Sequence, residues 1–334
     1  MSEKILTISV AAYNLEKLIK KNLESFLKSP ARNQIEVIVT DDESKDNTAK
    51  IVHEYEEKYP GIVKLVKQKN QGPGSSVNNG IKYATGKYFK MVDGDDWVVT
   101  ENLKQIIEIL KENDADMVLT NYLVFSNATQ KVIKENKFDL PNNCILNFNE
   151  YCSNLDLEMH SIMYKTSILK ENKINVDNCF YTDSEYIIFP SKHIKNFMYI
   201  NLDLYVYLVS RAGQSVSIES MKKNVKMHEL VLKHLIEYYE NCKKEKIDKN
   251  ILEYISNKVA TIATHQFITY LTFDNKKERK EKIVHFDLYL EKESKDIFKK
   301  YRKRKIVKYI TNSNYLLLNL LSKIYIMKIK REGY

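Results

Sequence analysis

Residues 91–97, MVDGDDW, end an apolar, strand-like run with three aspartates in four positions, Asp93, Asp95 and Asp96. Carboxylates this close repel one another and raise each other's pKa, so the arrangement is costly unless a cation offsets the charge. Mg²⁺ and Mn²⁺ are hard cations that prefer carboxylate and phosphate oxygens. A solvated acidic turn before the next helix is the alternative, because Asp favours turns and N-caps. The motif alone leaves both interpretations open.

The elements that position this motif alternate along the first 125 residues. Apolar, β-branched runs predict strands, and segments with helical spacing lie between them. This alternation predicts an α/β fold in which a mostly parallel, Rossmann-like sheet is flanked by helices. The predicted strands are 5–10, 35–40, 63–66, 88–92 and 117–125, and the predicted helices are 15–28, 48–59, 75–83 and 101–112.

Ligands of open parallel sheets bind beyond the carboxyl ends of the strands. Polar, aromatic, glycine and acidic residues follow four of the predicted strands, so we expect them to converge at one edge. Tyr13 can stack on a nucleotide base, Asp42 can accept a hydrogen bond from it, and Asp93 with Asp95 can contact a ribose and hold the cation. The loop GPGSS, 72–76, admits close backbone approach to a phosphate or sugar. It is not the phosphate-binding loop of nucleotide triphosphatases.

Three segments resemble the N-terminal half of family 2 glycosyltransferases with the GT-A fold: ISVAAYN, VIVTDDESKDNT and GPGSSVNNGIKYATGKYFKMVDGDDW. A later segment, NCFYTDSEYIIFPSKHIKNFMYINLDLYVYLVSRAGQSVS, resembles the acceptor-side region of that family. The resemblance therefore implies a catalytic domain over 1–218, with a nucleotide-sugar-binding half at 1–125 and an acceptor-side half at 126–218. Residues 219–334 form a separate, mainly helical and basic region.

The resemblance also implies roles for single residues. Asp95 and Asp93 fall on the metal-binding DxD positions, and Asp183 falls on the aspartate that acts as general base in an inverting transfer. Thr182 replaces the glutamate that usually precedes that aspartate. The residues assigned to nucleotide-sugar binding are Ala11, Tyr13, Asn14, Asp42, Gly74, Ser75, Asn78, Asp93, Gly94 and Arg211. The residues assigned to the acceptor side are Asp96, Trp97 and His160.

Each of these residues also has a structural interpretation. Asp183 can cap the helix that follows it. His160 lies among apolar residues, as a buried core histidine does, and Trp97 also suits a core position beside the acidic turn. Arg211 can approach a diphosphate as a charged donor, or it can lie in a surface loop.

The net charge of +9 is concentrated in residues 276–334, which hold 18 Lys and Arg against 7 Asp and Glu. There the basic cluster YRKRKIVKYI precedes YLLLNLLSKIYIMKIK, a stretch too short and polar to span a bilayer. Residues 300–331 are therefore predicted to form an amphipathic surface. This surface either binds an anionic membrane or packs on the protein or on a second subunit of a homo-oligomer.

The four cysteines lack metal-ligand spacing, and the N-terminal residues lack the apolar core of a signal peptide, which predicts a cytoplasmic protein with reduced thiols. The expected function is inverting, metal-dependent transfer from a nucleotide sugar, with UDP as the expected carrier, to a glycan or lipid-linked acceptor of a cell-surface polysaccharide. It implies Mg²⁺ or Mn²⁺ as cofactor and a location at the inner face of the plasma membrane. The alternatives are a non-catalytic protein, a glycoside hydrolase, or a nucleic-acid-binding protein that uses the basic region. Signatures of nucleic-acid-binding folds are absent, so we expect no nucleic-acid partner.

Overall fold

The computed structural model describes residues 3–209 and 217–331, which form two compact units, Met1–Val209 and Ser210–Tyr334. The first unit is built on one ten-stranded sheet. Its strands are β1 (Leu6–Ala12), β2 (Ile35–Asp41), β3 (Val63–Lys67), β4 (Tyr88–Asp93), β5 (Trp97–Val98), β6 (Met117–Ser126), β7 (Lys131–Asn136), β8 (Ile145–Asn147), β9 (Ile162–Lys165) and β10 (Asn196–Val209).

The strand order β3-β2-β1-β4 is parallel throughout, as the alternation of strands and helices predicts. β1 is central to this part, and its side chains are buried on both faces, which is why it reads as a continuous apolar run. The parallel pairing brings the carboxyl ends of β1, β2 and β4 to one edge, with Ala11 paired to Asp93 and Ala12 paired to Asp41. That edge therefore collects the polar residues that follow the strands.

Beyond β4 the sheet is mixed. β9 runs antiparallel to both β4 and β6, β6 pairs in parallel with β10, and the short β5 pairs antiparallel with β10. The predicted strands end at residue 125, yet the following part of the first unit supplies β9 and the 14-residue strand β10. The acidic turn between β4 and β5 thus lies where the parallel part meets the mixed part.

Helices of the first unit connect these strands. The predicted helix over 15–28 is shorter in the structure and begins at Ile19, because residues 15–18 form a turn in which Leu15 O accepts from Ile19 N. Its apolar side chains at helical spacing, Leu23, Phe26 and Leu27, are buried. The helices are α1 (Ile19–Leu27), α2 (Thr48–Lys58), α3 (Pro73–Tyr83), α4 (Thr100–Glu112), α5 (Phe148–Tyr151), α6 (Thr166–Glu171) and α7 (Asp183–Ile188).

The described part of the second unit is helical. α10 forms its centre, with residues such as Ile255, Val259, Ala263 and Phe267 fully buried, which is why this helix is apolar nearly all round. The helices are α8 (Ile218–Lys223), α9 (Val225–Lys244), α10 (Lys249–Leu271), α11 (Lys276–Glu293), α12 (Lys295–Arg302), α13 (Lys305–Asn312) and α14 (Leu318–Arg331).

The four cysteines are free thiols, and three of them are buried while Cys144 is exposed. Across residues 3–209 and 217–331, no helix combines the length and apolar character that a bilayer crossing requires.

Candidate active site

The segment after β1 presents an aromatic ring at the sheet edge. Tyr13 is 48% exposed, and the next residue, Asn14, has a φ of 54°, a conformation that Asn tolerates better than most residues. The backbone N–H of Asn14 donates to Ser44 Oγ at 2.9 Å, and its side-chain oxygen accepts from the Lys45 N–H at 2.7 Å. These bonds join the segments after β1 and β2 and leave the Tyr13 ring open to solvent.

Two carboxylates, Asp41 and Asp42, lie at the carboxyl end of β2, and both are buried. Asp42 accepts hydrogen bonds from Gln68 Nε2 at 2.7 Å and from the backbone N–H groups of Gln71 and Gly72 at 2.8 and 2.9 Å. Asp41 accepts from the Ser44 N–H at 3.2 Å, while its Oδ1 is buried without a hydrogen-bond partner among the described residues. Asp41 and Asp42 were both expected at this edge of the sheet, but a role was assigned only to Asp42.

The glycine-containing loop before α3 lies against another part of the same chain. A Cβ on Gly74 would be 1.7 Å from the Asp177 carbonyl oxygen, so only glycine fits there. Ser75 Oγ donates to the Gly72 carbonyl at 2.6 Å, and Asn78 exchanges two hydrogen bonds with the backbone of Val176, at 2.8 and 2.9 Å. The close approach that this loop allows is therefore used by residues 176–178.

The turn after β4 gathers the three aspartates. Gly94 N–H donates to the Ala11 carbonyl, and Asn22 of α1 donates to the carbonyls of Asp93 and Asp96 at 3.1 and 2.8 Å. Asp93 and Asp95 are half-buried, whereas Asp96 is buried. α1 and β1 thus fix the turn through its backbone.

Asp96 is bound to β10 by both carboxylate oxygens. They accept from the Tyr205 hydroxyl at 2.5 Å and from the Leu208 N–H at 2.7 Å. Burial, together with the charges of Asp95 and Asp93, raises the pKa of Asp96 well above its usual value. Asp96 therefore anchors the turn to β10, and the turn concentrates negative charge at its surface.

A divalent cation fits the chemistry of this turn. One carboxylate oxygen each of Asp93 and Asp96 and one ring nitrogen of His160 lie within 4.8 Å of one another. Carboxylate oxygens are hard ligands, and imidazole nitrogen is acceptable to Mn²⁺. A cation there would offset the repulsion by Asp95 and Asp93, which adds to the effect of burial on the pKa of Asp96.

The His160 ring is enclosed by tyrosines, with ring centres of Tyr207, Tyr205 and Tyr122 at 4.4, 4.7 and 5.2 Å. Its Nδ1 is buried without a hydrogen-bond partner among the described residues. Burial, and secondarily the charge of Lys90, lowers the pKa of His160 to about 3, so the imidazole is neutral at pH 7. A neutral ring beside carboxylates can act as a ligand but does not neutralise their charge.

Lys90 was not among the residues assigned to the site from the sequence. It lies in β4, three residues before the acidic turn, and is completely buried. Its ammonium donates to the carbonyls of His160 and Ile162 at 2.8 and 3.4 Å. Burial lowers its pKa to about 7. A lysine within the apolar run of β4 was a visible signal, because the rest of the strand reads as core.

Asp183 is the first residue of α7, and the residue at the N-cap position is Thr182, which makes no side-chain capping bond. The residue is exposed, yet protein atoms crowd its carboxyl group closely enough that desolvation raises its pKa. Two residues later, Glu185 is buried, with its pKa raised to about 8 by desolvation, and it accepts from the Asp177 N–H at 2.7 Å. α7 packs against the turn that carries His160.

The last two residues that were assigned roles from the sequence are Trp97 and Arg211. Trp97 is half-buried at the start of β5, with Phe125 edge-on at 5.3 Å. Arg211 lies outside the described residues.

Comparisons with known proteins identify the family and the fold. Residues 7–172 match the model described as Glycosyl transferase family 2. The poly(ribitol-phosphate) beta-glucosyltransferase of Bacillus spizizenii is 29% identical over 225 residues, which are 64% of this chain and 33% of that protein. A UDP-Glc:alpha-D-GlcNAc-diphosphoundecaprenol beta-1,3-glucosyltransferase of Escherichia coli is 27% identical over 211 residues, 59% of this chain and 82% of that protein. The chain thus spans only a third of the length of the Bacillus relative.

The fold has a solved counterpart. The crystal structure of S. aureus TarS 1–349 in complex with UDP-GlcNAc superposes with a TM-score of 0.68 at 19% sequence identity, covering 94% of this chain and 90% of that chain. The predicted GT-A fold is therefore confirmed.

Proposed function

Since residues 7–172 belong to glycosyl transferase family 2, we propose that this protein transfers a sugar from a UDP-sugar to a hydroxyl of a glycan or lipid-linked glycan during cell-surface polysaccharide synthesis. The observation that carries the proposal is the acidic turn Asp93–Asp96 at the carboxyl end of β4, beside an exposed aromatic ring at the end of β1. UDP is favoured as carrier because a TarS structure of the same fold holds UDP-GlcNAc. Glycan or lipid-linked acceptors are favoured because the relatives' names describe them.

In this proposal the ends of β1 and β2 hold the nucleotide. Tyr13 offers its exposed ring to one face of the uracil, and Asp41, with one unpartnered buried oxygen, joins Asp42 as an acceptor for a base N–H. Asp42 also holds residues 68–72 in place through its three hydrogen bonds. Ser75 and Asn78 support α3 by the bonds that they make within the chain.

The turn after β4 would hold Mg²⁺ or Mn²⁺ through Asp93 and Asp95, with Asp96 and His160 next to them. A cation bound there offsets the negative charge of the leaving diphosphate. Asp96 keeps the turn attached to β10, and Asn22 keeps it attached to α1. The chain's own contribution is thus a rigid set of carboxylates at the point where charge develops.

Asp183 is proposed as the general base of an inverting transfer. Its carboxylate takes the proton of the acceptor hydroxyl, the oxygen forms a bond to the anomeric carbon, and the bond from that carbon to the diphosphate oxygen breaks on the opposite side. The nucleoside diphosphate leaves with the electron pair. A pKa raised by desolvation makes this carboxylate a better base than a fully hydrated one.

Calorimetric titration with UDP tests the donor site, in the presence of Mn²⁺ and of a chelator, on wild type and Asp95→Ala. We expect binding that depends on the metal and is lost in the variant. Asp183→Asn should bind UDP as wild type does while losing transfer. Binding of GDP or CDP in place of UDP would change the assigned base, and failure of every nucleotide to bind would contradict the transferase proposal.

The second unit supports a peripheral membrane location as part of the same proposal. Leu316, Leu320 and Met327 are 85, 57 and 54% exposed, and Leu317 and Ile324 beside them are also exposed. Lys305, Lys308 and Lys323 of the same C-terminal region are exposed as well. An apolar row flanked by cations complements a bilayer that contains anionic lipids.

Sedimentation with phosphatidylglycerol vesicles tests this location. We expect wild type to bind at low salt and Leu320→Gln plus Ile324→Gln to bind at least about fivefold more weakly, since two apolar contacts are lost. Leu288→Gln, at a residue that is 61% exposed on α11, is the matched control. Absence of wild-type binding would contradict this location. A dimer in light scattering that dissociates in the double variant would assign the surface to a second copy.

A further inference from the structure

A cleft with a volume of about 570 Å³ lies between α1 and the segment that runs from β5 into α4. One wall is a stripe of α1 and of the turn before it, with Lys17, Lys20, Lys21 and Lys28 at helical spacing. The opposite wall begins at Trp97. Two carboxylates, Glu24 and Glu101, also line the cleft, so its four lysines leave an excess of positive charge, and it holds the only tryptophan of the sequence.

The lysines of this wall are not equally paired. Glu24 lies 2.8 Å from Lys28 and 3.9 Å from Lys20, and it also accepts from the Tyr55 hydroxyl. Within residues 3–209, Lys17 and Lys21 form no ion pair with a carboxylate at 4.0 Å or less. Two positive charges are thus left for a ligand.

Lys21 is held over an aromatic surface. Its ammonium is 3.0 Å from the ring centre of Trp97 and 5.4 Å from that of Phe125, so it has exchanged part of its water for ring faces. A partly desolvated cation interacts more strongly with an anion than a hydrated one does. An aromatic ring beside cations suits a chain in which sugar or polyol units alternate with negative groups.

Hydrogen bonds and chain continuity connect the walls of the cleft to the acidic turn Asp93–Asp96. Asn22, next to Lys21, donates to the carbonyls of Asp93 and Asp96, and Trp97 directly follows Asp96. On the other side, Ser25 accepts from the Val98 N–H at 3.1 Å. A chain bound in the cleft would therefore lie beside the turn at which the sugar is proposed to be transferred.

We propose that this cleft binds an anionic glycan, a chain that carries phosphate or carboxylate groups along a sugar or polyol backbone, and that this chain is the acceptor. The proposal rests on the proposed function for the word acceptor, but the binding of an anionic chain does not depend on it. Lys17 and Lys21 supply the charge, and Trp97 supplies the surface for the backbone of the chain.

Binding is measured by fluorescence anisotropy with three labelled hexamers: ribitol phosphate, galacturonate and the neutral maltohexaose. We expect wild type to bind one or both charged hexamers, and Lys17→Gln plus Lys21→Gln to bind them roughly tenfold more weakly because two unpaired charges are lost. Binding of ribitol phosphate alone identifies phosphate as the recognised group, and binding of galacturonate alone identifies carboxylate.

The matched control is Lys50→Gln plus Lys58→Gln, which removes the same charge from exposed positions of α2 and should change affinity less than about twofold. Equal binding of maltohexaose, equal affinity in the Lys17 and Lys21 variant, or failure of both charged hexamers to bind would overturn the proposal. UDP titration of the same preparations separates the two proposals, because a protein that binds UDP but no hexamer loses only this one.

Discussion

The ends of β2 and β4 have the same sequence pattern, adjacent aspartates after an apolar strand, yet the aspartates have different surroundings in the structure. At β2, Asp42 accepts from three N–H donors, two of them backbone amides of the loop that it organises. At β4, Asp96 is bound to β10, while Asp93 and Asp95 remain half-buried at the sheet edge. At the end of β2, N–H dipoles stabilise the carboxylate of Asp42. At the end of β4, negative charge accumulates.

This difference indicates a mainly structural role for the carboxylates that are fully hydrogen-bonded within the protein and a chemical role for those that are not. Amide donors stabilise the carboxylate of Asp42 without any cation, so the loop that it organises at the end of β2 does not depend on a metal. At the end of β4, the neighbouring charges of Asp95 and Asp93 contribute to the raised pKa of Asp96, and a cation would relieve that repulsion. Variants at the two ends should therefore fail in different ways.

The largest effect is expected at the end of β4. Asp93→Asn keeps the shape of the side chain but removes the charge, so sugar transfer should fall roughly thousandfold as charge stabilisation of the leaving group is lost. The melting temperature should change by less than about 3 °C. Measurement of kcat/KM for the accepted UDP-sugar checks the first statement. If the variant kept a tenth of the wild-type activity, the charge of Asp93 would not be required for the transfer.

At the end of β2 the main effect should be on stability. Asp42→Ala removes the charged acceptor of three hydrogen bonds, two of them from the partly buried N–H groups of Gln71 and Gly72, which should lower the free energy of unfolding by about 3 kcal/mol. Urea unfolding followed by the fluorescence of Trp97 measures this in the first unit. Asp42→Asn, which keeps one acceptor oxygen, should lose less. Equal stability of wild type and Asp42→Ala would break the contrast between the two strand ends.

The smallest effect concerns the buried cation beneath the β4 turn. The pKa of Lys90 is lowered to about 7, so the unfolded chain binds more protons than the native protein between pH 7 and about 10. The stability of wild type relative to Lys90→Met should therefore rise by roughly 2 kcal/mol from pH 7 to pH 9. Comparison with the variant cancels other titrations, and a difference that stays constant over this range would show that Lys90 is not desolvated.

Much of the first unit was predictable because its signals are local. The period of apolar residues located strands β1, β2, β3, β4 and β6 to within a few residues, and a parallel arrangement of them implies a shared edge for their carboxyl ends. The period of apolar residues gave no prediction for β9, because its antiparallel partners β4 and β6 lie far away in the chain, and β10 falls in the segment that only the resemblance to the family covered. The assigned roles of the site residues remain predictions.

Local patterns were enough to predict acidic residues at the ends of β2 and β4 and a shared edge for both strands, because strand alternation and side-chain period are properties of neighbouring residues. What each carboxylate does depends on the folded protein, because its partners come from distant segments. Tyr205, 109 positions after Asp96, turns that aspartate into an anchor, and Asp177 fills the space beside Gly74 that a ligand was expected to use. Hydrogen bonding and close packing assign these roles, and both depend on contacts that no local pattern encodes.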